Sequence, residues 1–360
     1  VLGVAGCTAL LLIGFGIQDS ILPIVDKQSG QLTHNDLTIS LSDEKALTME
    51  QGLADTLDSS SAVHSWGAFY TKSTTLYNEE GGSADVSIVG AEDDARMTEY
   101  FTFRTRVGHD PIPFEEDSVI LTEKTALNLG LSVGDTFYVE AADGSRVPLV
   151  LTGITENYMF TRLYLSNAQL QALLGSTPEW NTVYGLTGCT TEAEYNTLRT
   201  KLLGCNYVSS VSFTEDTTSM FGSLIGSLNY VVVLIIVCAA ALAAVVLYNL
   251  ISVNLAERKK ELATIKVLGF YDKEVYRYIF REIELLSLIG SGVGLLLGVP
   301  LHRFIILTVE MDQLMFIRTI APRSYLLAVA LTMLFTFVVC FAMRRHVRHI
   351  SMVESMKAPE

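Results

Sequence analysis

Leu224–Ile251 reads LIGSLNYVVVLIIVCAAALAAVVLYNLI and carries no charged side chain. It exceeds the ~20 apolar residues that a helix needs to cross hydrocarbon, so it predicts a transmembrane span and decides the class of fold. Downstream, Leu285–Leu307 predicts another span, with His302 and Arg303 near its end, where long polar side chains reach the interface. Tyr325–Met343 predicts a third. Upstream, Val1–Ile17 is also apolar but has no initiator Met and no basic flank, and it reads as the outer part of a truncated first span. The expectation is three full spans and one truncated span, in a helical bundle.

Lys and Arg in short loops set the orientation. The loop after the Leu224–Ile251 span holds Arg258, Lys259, Lys260, Lys266, Lys273, Arg277 and Arg281, and the tail holds Arg344, Arg345, Arg348 and Lys357. The 308–323 loop holds only Arg318 and Arg323. The basic loop (254–281) and tail (344–360) therefore face the cytoplasm, and residues 18–221 lie outside with the short loop. That region carries about 29 acidic and about 11 basic residues, a net charge near −18, against near +4 for the remainder and −14 for the whole chain. Such a balance excludes a nucleic-acid partner, which needs a basic footprint.

The outer region reads as a mixed α+β domain on a helical stalk. Asp19–His34 extends the first span with a kink at Pro23, Leu37–Leu41 alternates as a strand, Glu44–Leu57 is a short helix, and Ala62–Tyr70 and Asp85–Gly90 are strands. Asp117–Leu121 is a strand, Thr122 caps a helix ended by Gly130, and Thr136–Glu140 with Val147–Leu151 form a hairpin turned at Asp143-Gly144. A strand at Leu163–Leu165, a helix at Asn167–Leu174, a strand at Thr182–Leu186, a helix at Glu192–Leu203 and a strand at Val208–Phe213 complete it.

Signatures of catalysis are missing from this sequence. It holds no G-x-S-x-G, H-E-x-x-H or Walker-type motif and no zinc-like Cys/His spacing, so no catalytic or metal-ligating residue is assigned. His34, His64 and His109 are scattered, and Asp93-Asp94 and Glu115-Glu116-Asp117 read as solvated faces. Val4-Ala5-Gly6-Cys7 has the form of a lipoprotein box, but the apolar run continues through Ile13, so it reads as membrane span. Cys189 and Cys205 flank a helix and leave a disulfide open. Gly290, Gly294 and Gly298 recur every fourth residue inside a span and predict close helix packing, within the subunit or against a second permease unit.

Between two spans sits E-R-K-K-E-L-A-T-I-K-V-L-G-F, Glu257–Phe270. Leu255, Leu262, Ile265 and Leu268 make an apolar stripe, Glu257, Arg258, Lys260 and Glu261 fall on other faces, and Gly269 ends the helix. On the residues alone, the helix either lies on lipid phosphates through Arg258, Lys259 and Lys260 or docks on a partner.

This run resembles the coupling-helix signature of the FtsX-like permease family, the MacB-type ABC transporters. Ser118–Leu165, with T-E-K-T-A-L-N-L-G-L-S-V-G-D, resembles that family's extracytoplasmic domain, and Arg348–Lys357 resembles its closing segment, with Ser351-Met352 where the family more often has Asp-Pro. Gly6–Ile21 resembles the first span of the large Gram-positive permeases, of which this chain would be the C-terminal four-helix unit. The resemblance implies a multi-pass plasma-membrane subunit that binds no cofactor itself. A separate cytoplasmic ATPase dimer, carrying ATP and Mg, would grip Glu257, Arg258, Lys259, Lys260, Glu261, Leu262, Ile265, Lys266, Leu268 and Gly269. ATP-driven motion would then reach the outer domain to export a lipid, lipoprotein or antimicrobial peptide; alternatively, it would switch an extracellular cell-wall hydrolase or sensor without cargo. Few polar groups, Asn229 and Ser287 among them, are expected within the spans, which favours mechanical transmission over a channel.

Overall fold

In a computed structural model, the fold is described for residues 1–50, 52–141, 144–257 and 272–348. It divides into two units. One holds residues 1–22, 224–309 and 317–360; the other holds residues 23–223 together with 310–316.

The first unit is a bundle of α1 (Leu2–Ile21), α9 (Thr214–Glu257, from Leu224 onward), α10 (Asp272–Val309) and α11 (Pro322–Arg348). All four are long and apolar enough to cross a membrane. Their burial differs in a way that sets their places. Val4, Ala5, Cys7, Thr8, Ala9, Leu11 and Leu12 of α1 are buried, whereas α9, α10 and α11 expose Val233, Leu234, Leu296, Phe304, Leu326 and Phe337. The first span is therefore the centre of the bundle, and the other three present apolar side chains as a lipid-facing surface should.

Hydroxyl groups line the inside of this bundle. Thr8 Oγ1 lies 3.0 Å from Thr332 Oγ1 and 3.4 Å from Ser291 Oγ, and Thr336 Oγ1 lies 3.3 Å from Ser287 Oγ. Buried His302 meets Ser20 Oγ at 3.1 Å. Thr8, Ser291, Thr332 and Thr336 also bond a carbonyl one turn back, as Thr332 does to Ala328, so the helices tolerate them in an apolar setting.

At one end of α1, Asp19 caps the start of α11. Its carboxylate accepts from Ala321 N at 3.0 Å, from Ser324 Oγ, and from Arg323 Nη2 at 3.2 Å. Asp19→Ala removes this cap at a cost of about 1 kcal/mol. Amide exchange in the first turn of α11 should rise roughly fivefold; unchanged exchange there would show that the cap contributes nothing.

The second unit is built on one sheet in the order β10-β1-β9-β2-β3-β8-β4-β7, with β5 and β6 branching from β2. The strands are β1 (Leu37–Leu41), β2 (Val63–Tyr77), β3 (Ser83–Ala91), β4 (Val119–Thr122), β5 (Thr136–Glu140), β6 (Arg146–Val150), β7 (Gly153–Thr155), β8 (Arg162–Leu165), β9 (Thr182–Thr187) and β10 (Val208–Phe213). Helices α2 (Pro23–Lys27), α3 (Lys45–Thr48), α4 (Leu53–Asp58), α5 (Asp94–Tyr100), α6 (Glu123–Leu129), α7 (Asn167–Leu174) and α8 (Glu192–Leu203) surround it. β2 is long enough to pair β9 along its first half, β3 along its second and β5 at its end.

Alternation along the strands sorts the two faces. Leu163 and Leu165 of β8 join Phe137, Leu121 and Leu170 in a mainly aliphatic core. Tyr164, between them, joins Phe69, Tyr100, Phe101, Phe103 and Tyr184 in an aromatic one. Phe69 sits 5.6 Å from Tyr100 and Phe103 5.0 Å from Tyr164, both edge to face, the arrangement that the ring quadrupoles favour.

Several elements follow from local signals. Thr191 and Glu194 form a reciprocal capping box at the start of α8, and the backbone N–H groups of Thr190 and Thr191 hold the Glu194 carboxyl below its usual range. Gly130 ends α6 at φ 66°, a conformation that favours glycine. The expected 44–57 helix is split instead into α3 and α4, because Met49 is extended. Of the proposed hairpin turn, Gly144 has φ 80° and Asp143 lies outside the described residues. Cys189 and Cys205 are both free thiols.

Candidate functional site

The proposed coupling segment lies almost wholly outside the described residues. Glu257 is the last residue of α9 and is exposed; Arg258, Lys259, Lys260, Glu261, Leu262, Ile265, Lys266, Leu268 and Gly269 are beyond it. A Cβ on Gly290 would stand 3.0 Å from Val4 Cβ, one on Gly294 2.6 Å from the Ala5 carbonyl oxygen, and one on Gly298 2.9 Å from Leu12 Cδ2. The row thus lies against α1 of the same chain, with backbone touching backbone at Gly294.

Within the outer domain, two segments that continue directly into spans fasten to one irregular turn, Glu156–Phe160. The first is the stalk that follows α1. Buried Gln28 accepts from Tyr158 N at 2.9 Å and Met159 N at 3.2 Å through Oε1, and donates through Nε2 to Asn157 Oδ1 at 2.8 Å and Thr33 Oγ1 at 2.9 Å. The second is the segment 310–316 between α10 and α11. Met315 N donates to Tyr158 O at 3.0 Å, Phe160 N to Gln313 O at 2.9 Å, and Lys124 Nζ to Glu310 Oε2 at 2.9 Å.

Glu156 is the hub beneath this turn. Only 2% of the residue is exposed, and its carboxylate accepts from Arg104 Nε at 2.6 Å and from the Tyr158 hydroxyl, with His109 Nδ1 at 3.4 Å. Arg104 reaches on to Gln31 of the stalk at 2.9 Å. Burial first, and then the hydrogen bond and charge of Glu156, push the Tyr158 phenol well above its usual range, so it remains a donor to that carboxylate. Such a paired, hydrogen-bonded charge is rigid. The turn joins the stalk and the loop by direct hydrogen bonds.

Sequence reasoning missed this turn. Its members, Gln28, Glu156 and Glu310, are far apart in the chain and belong to no motif. Among the described residues, no group of three His, Cys, Asp or Glu side chains could hold a metal ion.

Two family models match the chain: the MacB-like periplasmic core domain over residues 1–194 and the FtsX-like permease C-terminal region over residues 233–352. The chain belongs to the MacB/FtsX-like ABC permease family, and it is a multi-pass membrane protein with its large domain outside the cytoplasm. Among solved structures it is similar to the periplasmic region of MacB from Actinobacillus actinomycetemcomitans, at 12% identity over 53% of this chain and 94% of that one, with a TM-score of 0.34. It is also similar to the extracellular domain of the ABC-type transporter YknZ from Gram-positive bacteria, at 14% identity over 50% of this chain and 99% of that one, with a TM-score of 0.32. No curated protein sequence matches it.

Proposed function

We propose that this chain is a non-catalytic permease subunit that passes ATP-driven motion from a cytoplasmic ATPase dimer to its outer domain, to extrude a lipid, lipoprotein or antimicrobial peptide. ATP and Mg bind on the ATPase, and a second permease unit completes the assembly. The observation that carries this reading is the fastening of the α1 stalk and the 310–316 loop to the single turn Glu156–Phe160. Spans that shift together pull on that turn from two sides.

Glu257–Gly269 is the input. Leu262, Ile265 and Leu268 fill a groove on the ATPase, and Arg258, Lys259, Lys260 and Glu261 make polar contacts at its rim. Charge reversal of Lys259 and Lys260 together with Leu262→Asp should weaken capture of the ATPase by the full chain at least about tenfold, because an anchor and its steering charges are lost together. Undiminished capture would contradict the docking assignment. What co-purifies in mild detergent separates the outputs: lipid or peptide with the ATPase supports export, and a cell-wall hydrolase with the ATPase supports signalling.

A further inference from the structure

Strand β2 changes partners along its length and leaves part of one edge open. Its even-numbered residues turn their N–H and C=O groups to β3, in the register where Glu92 N donates to Ala68 O. Its odd-numbered residues turn to the other side, as the bond from Asn181 N to Phe69 O shows. On that side β9 covers Val63–Phe69, and β5 covers only Leu76 and Tyr77. At Thr71 the Asn181 side chain takes the place of a strand, accepting from Thr71 N at 2.9 Å and donating to Thr71 O at 2.9 Å. Ser73 comes next and is exposed. Among the described residues, no strand meets the N–H and C=O that Ser73 turns to this edge.

Beside the open edge lies a cleft of about 570 Å³, between the end of α7 and the β5–β6 hairpin. Its apolar lining is buried Tyr70, Ile88 and Leu173. Lys72 stands in it, and among the described residues no carboxylate pairs with that ammonium, since the carboxylate of the cleft, Glu140, accepts from the Tyr77 hydroxyl at 2.7 Å. The stretch without a partner strand, Lys72–Thr75, is about 13 Å long. Asn181 closes one end, and Glu140, whose carbonyl accepts from Thr74 Oγ1 at 2.7 Å, closes the other. The slot thus admits the end of a chain rather than a strand that runs through.

We propose that this slot takes the C-terminal tail of a partner polypeptide outside the cytoplasm, added antiparallel to β2 as a short extra strand. The residue before the last exchanges both main-chain bonds with Ser73, the terminal carboxylate meets Lys72, and alternate side chains turn to the apolar lining. Two main-chain bonds and one exposed ion pair support a dissociation constant on the order of 1 mM. That suits a tail tethered beside the permease, whose effective concentration is also millimolar, and not a dilute free peptide. The site does not depend on whether the chain exports cargo or signals.

The test is saturation-transfer NMR of the full chain in detergent with the tetrapeptide acetyl-Thr-Val-Thr-Val, which ends in a free carboxylate. The wild-type chain should bind it at millimolar concentration, and methylation of the third peptide nitrogen should abolish binding. Amidation of the carboxylate should weaken binding about threefold, and Lys72→Gln should remove that difference. Ser73→Pro should abolish binding while the sheet stays folded, because the nitrogen it blocks faces away from β3. No binding by the wild-type chain, or equal binding of the methylated peptide, would overturn the proposal without any variant. Undiminished binding by a folded Ser73→Pro chain would do the same. Equal binding of acid and amide would overturn the carboxylate assignment, and binding only when the acetyl group is absent would replace the tail with a free peptide.

Discussion

Gly294→Leu is expected to break the packing of α10 on α1 and with it the folded bundle. The first added carbon would stand 2.6 Å from the Ala5 carbonyl oxygen, 2.7 Å from Thr8 Cβ and 3.1 Å from Ala5 Cα. Two of those atoms are backbone, so no rotamer change relieves the clash and α1 must move away. Overpacking alone costs about 1–3 kcal/mol or more. The displacement also separates Thr8 from Thr332 and Ser291, hydroxyl contacts worth roughly 0.6 kcal/mol each inside a membrane. The yield of monodisperse protein in detergent, followed by thermal unfolding, measures the loss. Gly292→Leu is the control, since nothing lies within 4 Å of a Cβ at that position. Equal damage by the two substitutions would show that α10 does not use this row to meet α1.

Glu156→Ala should do comparable harm to the outer domain. It deletes a carboxylate that is sealed from water, and it orphans the Arg104 guanidinium and the Tyr158 hydroxyl together. Breaking a buried pair by removing one partner costs about 3–5 kcal/mol. Arg104 keeps some access to water and its bond to Gln31, so the lower end of that range applies. In a domain of this size, about 3 kcal/mol lowers the midpoint of thermal unfolding by roughly 6–12 °C. Glu99→Ala removes the carboxylate of a more exposed pair with Arg96 and should lower it by much less. Calorimetry of the full chain would show the outer-domain transition in each variant; equal shifts would remove Glu156 from its place as the hub.

The two halves of this molecule were legible in the sequence to different degrees. The spans are plain because hydrocarbon thickness imposes a length and a composition that few soluble helices meet. α8 and β10 match their expected bounds, and the structure shows the Thr191–Glu194 box at the start of α8. The short strand β7 escaped because three residues give no period, and α5 escaped because Asp93 reads as part of an acidic run although it is the N-cap, accepting from Ala95 N. β2 continues through Ser73-Thr74-Thr75, polar residues that gain their strand character from β3 beside them. The Glu156–Phe160 turn could not be read at all, since long-range contacts between single polar residues leave no pattern in one sequence. Gly290, Gly294 and Gly298 do form a pattern in one sequence, because backbone approach between helices demands small residues at a fixed spacing.

Hydrogen exchange on the reconstituted permease–ATPase complex, with and without a non-hydrolysable ATP analogue, addresses transmission most directly. The amides to follow are those of Tyr158, Met159, Phe160 and Met315, which hold the stalk and the loop to the shared turn. The account predicts that nucleotide changes their exchange in the wild-type complex and that the change disappears when the input is broken by Leu262→Asp. Nucleotide-independent exchange at all four amides in an intact complex, or an undiminished response in Leu262→Asp, would contradict it.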